Sequence, residues 1–233
     1  EIYLKTYGAF KRDEFSLNEF SRLNKISPQS AKVLIHRMKQ NYQLFSSGWG
    51  RYVLLSPKHW MVLQELKRKP RLYRLAITFY EMFPKLSLLL LYGSQVRGDF
   101  DKYSDYDVLL VLEKQVDNKA KLKEQIEQKL KLLLHLTIYS ESALKTFAIS
   151  EPYLRFWFNE GILFDERRLM MQLVKPVARI GYLENLQEAK TYLGLLPMEH
   201  NAAKRARYAF TALRISLLVE HALRLDYNYD AVS

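Results

Sequence analysis

Apolar and polar residues in the first quarter of the chain follow a helical period and then a strand-like one. Ser16 and Glu19 have the spacing of a capping box, and the apolar positions after them recur at helical intervals. A second helix is predicted to begin at Pro28, because proline fits the first turn of a helix. Two short apolar runs around residues 46–50, which contain two glycines, are typical of a β-hairpin. The pattern therefore predicts two helices around a short turn, followed by a hairpin, within residues 1–57.

The rest of the chain alternates between helical and strand-like patterns and then becomes helical throughout. Such alternation is typical of a sheet with helices on its faces, so we expect an α/β domain between two other regions. The predicted parts are an N-terminal module over 1–57, a helical connector over 58–84, the α/β domain over 85–168 and a C-terminal helical region over 169–233. Within them we expect strands over 86–92, 104–112, 132–139 and 160–164, a helix over 117–131 and helices over 182–226.

The composition excludes several classes of protein. The chain has 233 residues, 48% of them hydrophobic, which is enough for one or two ordinary cores. The lack of cysteine excludes a disulfide framework, a thiolate zinc site and a cysteine nucleophile. Together with the many Lys, Arg and Tyr residues, it also favours a heat-adapted microbe as the source. Purely apolar runs such as Leu88 to Leu91 are far too short to span a membrane, and no signal peptide pattern is seen. We therefore expect a cytoplasmic protein without a membrane partner.

The formal net charge of +11 is concentrated near the N-terminal end. Residues 1–80 contain 15 Lys and Arg against 5 Asp and Glu, whereas residues 81–165 contain 11 against 13. A field confined to one module usually indicates a polyanion as the partner of that module. The polar side of the predicted second helix and the hairpin carry the side chains expected to contact DNA, namely Gln29, Ser30, Lys32, Arg37, Lys39 and Arg51.

Two helices around a short turn, followed by a hairpin, resemble a winged helix-turn-helix over residues 1–57. The resemblance implies binding to double-stranded DNA, with Trp49 and Arg51 in the wing. Winged helices also serve as protein–protein modules, in which the charged helix face is only solvated. The positive charge of residues 1–80 favours DNA over this alternative.

The residues that can carry chemistry lie between two strand-like runs, over 92–107. A glycine at position 93, at the end of the first run, allows a tight turn whose amides can face a phosphate. Asp105 and Asp107 stand two residues apart at the head of the second strand, so both side chains point to one face. Paired carboxylates beside a phosphate-binding turn are what the chemistry of a Mg²⁺-bound triphosphate requires.

This segment resembles the signature of the DNA polymerase β-like nucleotidyltransferase superfamily, in particular its minimal (MNT-type) branch. The residues that match the signature are Gly93, Ser94, Arg97, Gly98, Ser104, Asp105 and Asp107. The resemblance implies a mixed sheet with flanking helices. It places Gly93 and Ser94 on the nucleotide phosphates, and it makes Asp105 and Asp107 the catalytic ligands of Mg²⁺ or Mn²⁺. Arg97 and Ser104 belong to the nucleotide-binding set, where Arg97 shapes the loop and Ser104 braces it; the expected substrate is a nucleoside triphosphate such as ATP.

The sequence departs from the family pattern at one position. The superfamily has a third carboxylate on the strand after the helix, between hydrophobic residues. His135 stands there in this chain, between Leu134 and Leu136. A histidine can act as a general base near neutral pH. Alternatively, the catalytic function of this position has been lost, and the transfer activity with it. Both alternatives remain open at the level of the sequence.

The C-terminal helices favour a partner or bundle role. Alanine and leucine recur along one side of the last helix, for example at Ala206, Leu213 and Leu217. Minimal nucleotidyltransferases commonly occur beside a helical module of the HEPN type, whose ribonuclease members carry an Arg and a His at a spacing that Arg214 and His221 resemble weakly. A helical bundle that closes the cleft, binds a helical partner protein or makes a homodimer is the stronger expectation.

Two hypotheses follow from these patterns. In the first, the chain is a Mg²⁺-dependent enzyme that transfers a nucleoside monophosphate from a triphosphate to a hydroxyl acceptor, and a winged helix binds it to DNA. In the second, it is a transcriptional regulator or antitoxin-like protein, in which a weakly active or inactive transferase domain senses a nucleotide or a partner.

Overall fold

The computed structural model describes residues 1–101, 104–150, 154, 157, 160–169 and 179–230. The chain forms two compact units: residues 1–141 with 162–169 make up the first, and residues 142–161 with 170–233 the second. The predicted N-terminal module, the connector and the sheet all lie in the first unit. The finer division of the chain at residues 57, 84 and 168 stays a prediction.

The N-terminal module combines three helices with a small antiparallel sheet. Its elements are α1 (Ile2–Phe10), β1 (Phe15–Ser16), α2 (Leu17–Asn24), α3 (Pro28–Gln40), β2 (Leu44–Gly48) and β3 (Arg51–Leu54). The sheet has the order β1-β3-β2, and both pairs of strands are antiparallel. Helices α2 and α3 and the hairpin are confirmed. The sequence patterns missed α1 and β1, and the hairpin has a shorter turn than predicted, at Trp49 and Gly50.

Local signals explain why α2 and α3 begin where they do. The Ser16 hydroxyl accepts a hydrogen bond from the Glu19 amide, and the Glu19 carboxylate accepts one from the Ser16 amide, which completes the capping box. Ser27 caps α3, with Pro28 at its first position. The apolar stripe of α3 faces a core whose buried members are Phe15, Phe20, Ala31, Ile35, Met38, Leu44 and Leu54.

The connector consists of α4 (Pro57–Glu65), a 3₁₀ turn (Leu66–Arg68) and α5 (Pro70–Met82). The break at Pro70 follows the prediction, since proline removes a hydrogen bond that a continuous helix would need. Helix α5 is deeply buried: Leu75, Ala76 and Phe79 are all 0% exposed. It therefore acts as a central element of the first unit and not as a surface linker.

The sheet of the α/β domain has four strands in the order β6-β5-β4-β7. These strands, with their helices, are β4 (Leu88–Tyr92), α6 (Ser94–Arg97), β5 (Tyr106–Leu112), α7 (Lys119–Leu130), β6 (Leu134–Ser140), α8 (Glu141–Ser150) and β7 (Ile162–Asp165). Strand β5 is parallel to β6 and antiparallel to β4, and β4 is antiparallel to β7. The predicted mixed sheet is thus present. Residues of α5 and α7 pack with one face of this sheet in the core of the first unit.

The second unit contains the C-terminal helices α9 (Arg179–Leu195) and α10 (Ala202–Asp230), which pack against each other. Ala212, Ile215 and Val219 of α10 are buried, whereas Leu213 and Leu217 are more than half exposed. The apolar stripe read from the sequence is therefore largely exposed, and a neighbouring stripe of α10 is buried; the expected helical partner or homodimer stays a prediction. The side chains of Arg214 and His221 lie outside the described residues. Within the described parts, no helix has the length and apolar character that crossing a membrane requires.

Candidate functional site

The pairing of the strands brings the main candidate residues together on one side of the sheet. Asp107 lies opposite Tyr92 on β4 and is the register partner of His135 on β6. Gly93 follows Tyr92 directly. Consequently three residues that are far apart in the sequence, Gly93, Asp107 and His135, meet at the end of three neighbouring strands.

Asp107 and His135 are joined by a hydrogen bond. The His135 Nδ1 atom lies 2.9 Å from the Asp107 Oδ1 atom. An ionised carboxylate can only accept, so the imidazole Nδ1 carries the proton and donates it. In the neutral form of the ring, the other nitrogen, Nε2, is then the acceptor. The His135 side chain is 63% exposed, whereas that of Asp107 is 21% exposed. A half-buried carboxylate therefore orients an accessible imidazole.

Only glycine fits at position 93 in this arrangement. Its φ of +79° and ψ of −166° lie in a region that side-chain-bearing residues hardly visit. A Cβ atom at this position would overlap with Asp107 Oδ2. The glycine thus lets the backbone of the turn lie directly against the Asp107 carboxylate. Ser94 follows as the first residue of α6, where the amides of a helix have no acceptor within the helix.

Arg97 and Ser104 hold the loop after α6. The Arg97 guanidinium donates two hydrogen bonds, of 3.2 and 3.1 Å, to Asp99 Oδ2. The Ser104 hydroxyl donates to Asp101 Oδ1 at 2.9 Å and accepts from the Asp101 amide at 3.0 Å. The side chain of the buried Gln95 donates to the Ser104 carbonyl oxygen. These contacts lie within the loop, and the nucleotide-binding roles of Arg97 and Ser104 stay predictions.

The remaining carboxylate, Asp105, is exposed and lies one residue before β5. Among the described residues, no cluster of three or more Asp, Glu, His or Cys side chains has the arrangement of a metal site. Mg²⁺, however, is often held by one or two carboxylates together with water and substrate phosphates. Asp107, which lies against the Gly93 turn, and Asp105, two residues before it, suit such a partial ligand set. The imidazole at position 135 is a poorer ligand for Mg²⁺ than a carboxylate is.

The residues predicted to contact DNA are all exposed. Lys32 and Arg37 lie on the solvent side of α3. Lys39 donates a 2.9 Å hydrogen bond to the Ser46 hydroxyl of β2. Gln29 and Ser30 lie in the first turn of α3, where the Ser30 and Ser27 hydroxyls are 2.9 Å apart.

In the hairpin, the Arg51 guanidinium lies 3.3 Å from the Glu19 carboxylate, so this cation is partly neutralised. Trp49, at the tip of the turn, is fully exposed. The structure therefore places the predicted contact residues on one helix face and an adjacent hairpin, with Arg51 the least available of them.

A buried polar cluster around Glu166 escaped sequence reasoning. The Glu166 side chain is 0% exposed and accepts a 3.0 Å hydrogen bond from the Tyr80 hydroxyl. The His59 Nδ1 atom lies 3.2 Å from Glu166 Oε1, and the Arg12 Nε atom lies 3.6 Å from Oε2. Because His59 Nε2 accepts from the Asp165 amide, the proton of this imidazole is on Nδ1, which lies near both the Ser56 hydroxyl, at 2.7 Å, and Glu166 Oε1.

Burial of Glu166 disfavours its charged form, but Arg12, His59 and Tyr80 outweigh this effect and hold its pKa below the ordinary value. The Arg12 guanidinium also donates to the carbonyl oxygens of Leu54 and Pro84, both at 2.6 Å. The cluster thus ties the N-terminal module to the sheet. No sequence signal points to it, since its members are single polar residues on four separate segments.

Comparison of the chain with known proteins and protein families gives a match in the region of the α/β domain. Residues 74–169 match the model of a family described as nucleotidyltransferase domain, while no curated protein and no solved structure matches the chain. The matched range contains β4 to β7, and the mixed four-stranded sheet with its helices is consistent with a nucleotidyltransferase fold. At this general level, the match favours nucleotidyl transfer as the activity. It supports the assignment of residues 74–169 to the nucleotidyltransferase superfamily.

Proposed function

We propose that the protein is a Mg²⁺-dependent nucleotidyltransferase of the minimal type, which transfers a nucleoside monophosphate from a triphosphate such as ATP to a hydroxyl acceptor. The observation that carries the proposal is the meeting of Gly93, Asp107 and His135 at one end of the sheet. A turn suited to phosphate, a carboxylate and an oriented imidazole are then within one small site. Asp105, two residues before Asp107, completes the proposed acidic pair.

The residues have separable roles in this proposal. Gly93 and Ser94 bind the phosphates of the triphosphate through the turn and the first amides of α6. Asp105 and Asp107 would hold Mg²⁺, whose chemistry is to neutralise charge on the phosphates and on the departing pyrophosphate. Arg97 and Ser104 keep the loop between α6 and β5 in place, so that Asp105 remains on the substrate side.

His135 is proposed to act as the general base. The acceptor oxygen bonds to the α-phosphorus, while the bond from this phosphorus to the bridging oxygen breaks and pyrophosphate leaves with the electron pair. The proton of the acceptor hydroxyl passes to His135 Nε2, since Nδ1 already donates to Asp107. The pairing of a carboxylate with Nδ1 fixes the tautomer and the direction of the ring, as in other carboxylate–imidazole pairs.

The N-terminal module is proposed to bind double-stranded DNA as a winged helix. Its order, α1-β1-α2-α3-β2-β3 with a β1-β3-β2 sheet, supports this reading. The exposed cations of α3 would contact the phosphate backbone. Under this proposal the transferase acts while it is held on DNA.

The experiment that tests the enzyme uses ATP labelled at the α-phosphate, with Mg²⁺ and a panel of RNA, peptide and small-molecule hydroxyl acceptors. Pyrophosphate release and transfer of label are measured for the parent, for Asp105→Asn/Asp107→Asn and for His135→Ala. We expect loss of both signals in the double variant and a fall of about 100-fold in His135→Ala. Asp117→Asn/Glu124→Gln, which removes two exposed carboxylates of the same unit, should behave like the parent. Equal transfer by the parent and the Asp105/Asp107 variant would refute the assignment.

A second function is favoured by one specific observation. His135, which stands where the superfamily has a third carboxylate, is hydrogen-bonded to one oxygen of Asp107. This arrangement suits a DNA-binding regulator, in which the transferase domain senses a nucleotide or a partner, as an antitoxin-like protein would. That function is indicated if no acceptor is labelled while the chain still binds both DNA and a fluorescent ATP analogue.

A further inference from the structure

A cavity of about 480 Å³ lies behind the turn of the candidate active site. It is formed by the first turns of α5, the end of α6 and the loop before β5. The side chains that matter most in its lining are Lys69, Arg71, Arg74, Gln95, Phe100 and Tyr106. Its volume is in the range of small-ligand sites. Tyr106 precedes Asp107, so the two side chains point to opposite faces of β5, and the cavity is separate from the carboxylate site.

The lining of the cavity is strongly basic. It contains three cations, and none of the described residues that line it is acidic. Two acidic residues of the loop are engaged elsewhere, because Asp99 accepts from Arg97 and Asp101 accepts from Ser104. Arg71 and Arg74 stand three residues apart on α5 and therefore lie on the same side of the helix. This arrangement suits an anion that bridges two guanidinium groups, as a phosphate does.

Two further features make the cavity more selective than a charged surface. The Lys69 ammonium donates a 2.9 Å hydrogen bond to the Val96 carbonyl oxygen at the end of α6, which fixes one cation at the rim. Phe100 exposes 51% of its surface beside the arginines, although an aromatic ring of this size is normally buried. An exposed ring next to phosphate-binding cations is the combination by which proteins hold a nucleotide, with the base stacked on the ring.

We propose that this cavity is a second nucleotide site, in which Arg71 and Arg74 bind a phosphate ester and Phe100 stacks with the attached base. The inference goes beyond the transferase activity, since it needs neither Asp105 nor Asp107 nor a metal ion. The same chemistry can come from a free nucleotide or from the end of a single-stranded nucleic acid. If the ligand is a free nucleotide, the site senses the nucleotide concentration. If it is the end of a strand, the site holds that strand.

The test measures binding to the full chain in the presence of EDTA, which removes divalent cations. The probes are AMP, inorganic phosphate and a 5′-phosphorylated hexanucleotide, and the affinity of each is measured by isothermal titration calorimetry. We expect AMP to bind more tightly than phosphate. Arg71→Ala/Arg74→Ala should weaken AMP about tenfold or more, and Phe100→Ala should weaken it about fivefold or more through lost stacking. Both variants change exposed side chains, and alanine is favourable in α5, so folding is retained and is checked by circular dichroism.

Two matched controls locate the site. Lys58→Ala/Lys121→Ala removes two exposed helix cations elsewhere in the same unit and should leave AMP binding unchanged. Asp105→Asn/Asp107→Asn should also leave it unchanged, which separates this site from the proposed active site even if transfer is never detected. Tighter binding of the hexanucleotide than of AMP, lost in Arg71→Ala/Arg74→Ala, assigns a strand end, and equal affinity assigns a free nucleotide.

The proposal is overturned by any of three results. These are no binding of either nucleotide probe at millimolar concentration, equal weakening by the arginine and lysine double variants, and loss of AMP binding in the aspartate variant.

Discussion

At the scale of single residues, Gly93 shows how a sequence motif depends on a contact that the sequence does not reveal. The motif requires a glycine for a tight turn, but the structure adds a second reason, since a Cβ would meet the Asp107 carboxylate. Gly98, five residues later, also has a positive φ, of +95°, yet has open space around it. A side chain at Gly98 would therefore meet backbone strain alone, whereas one at Gly93 would meet both backbone strain and a steric clash.

This difference leads to a prediction for two alanine variants. Gly98→Ala should cost about 1 kcal/mol in the free energy of unfolding, because only its left-handed backbone disfavours a side chain. Gly93→Ala should cost about 2–3 kcal/mol, since its backbone region is nearly exclusive to glycine and the new methyl group displaces Asp107. Under the proposed function it should also abolish transfer, while Gly98→Ala retains it. Urea unfolding and the transfer assay check both effects, and equal costs for the two variants would contradict the steric argument.

At the scale of elements, α2 and α3 illustrate what local sequence signals achieve. Capping by Ser16 and Ser27 and the proline at position 28 determine where these helices start, and all three signals act over a few residues. The strand β1 was missed because it has only two residues, Phe15 and Ser16, and exists through pairing with β3. A strand this short has no periodicity of its own to read.

The exposed face of α3 carries a prediction about DNA. Lys32→Ala/Arg37→Ala should weaken binding to duplex DNA. The variant loses two phosphate contacts and so releases fewer counterions on binding, which should flatten the slope of log binding constant against log salt concentration by about 1.8. The control is Lys58→Ala/Lys121→Ala, which removes the same charge from other helices. Fluorescence anisotropy with a labelled duplex between low and moderate salt measures both slopes. A slope that changes equally in the two double variants would show a general charge effect and not a contact face.

At the scale of the whole molecule, the Glu166 cluster joins the N-terminal module to the sheet. Arg12 donates to carbonyl oxygens on both sides of this junction, and the buried Glu166 carboxylate is its counter-charge. A carboxylate whose pKa is lowered by folding stabilises the folded state above its unfolded pKa, and this contribution disappears as the pH falls.

Glu166→Gln should therefore lower the free energy of unfolding by about 2–3 kcal/mol at pH 7, because Arg12 loses its buried partner. Between pH 5 and 3, on either side of the ordinary carboxyl pKa of 4.5, the parent should lose stability more steeply than the variant. Glu65→Gln, which changes an exposed carboxylate, should follow the parent at every pH. Urea unfolding across this range gives the comparison, and parallel curves for parent and Glu166→Gln would disprove the role of this carboxylate.

The sequence alone determined most of the elements, though not α1 and β1, and the candidate motif. Caps, helical periods, glycine turns and the Gly-Ser and Asp-x-Asp pattern depend on neighbours within a few positions. It also indicated the position of His135 as the departure from that motif. Only the tertiary structure decided that His135 donates to Asp107, that Arg51 lies beside Glu19, and that Arg12, His59, Tyr80 and Glu166 form one cluster. Those contacts arise from strand register and helix packing, which join residues with no local relation in the chain.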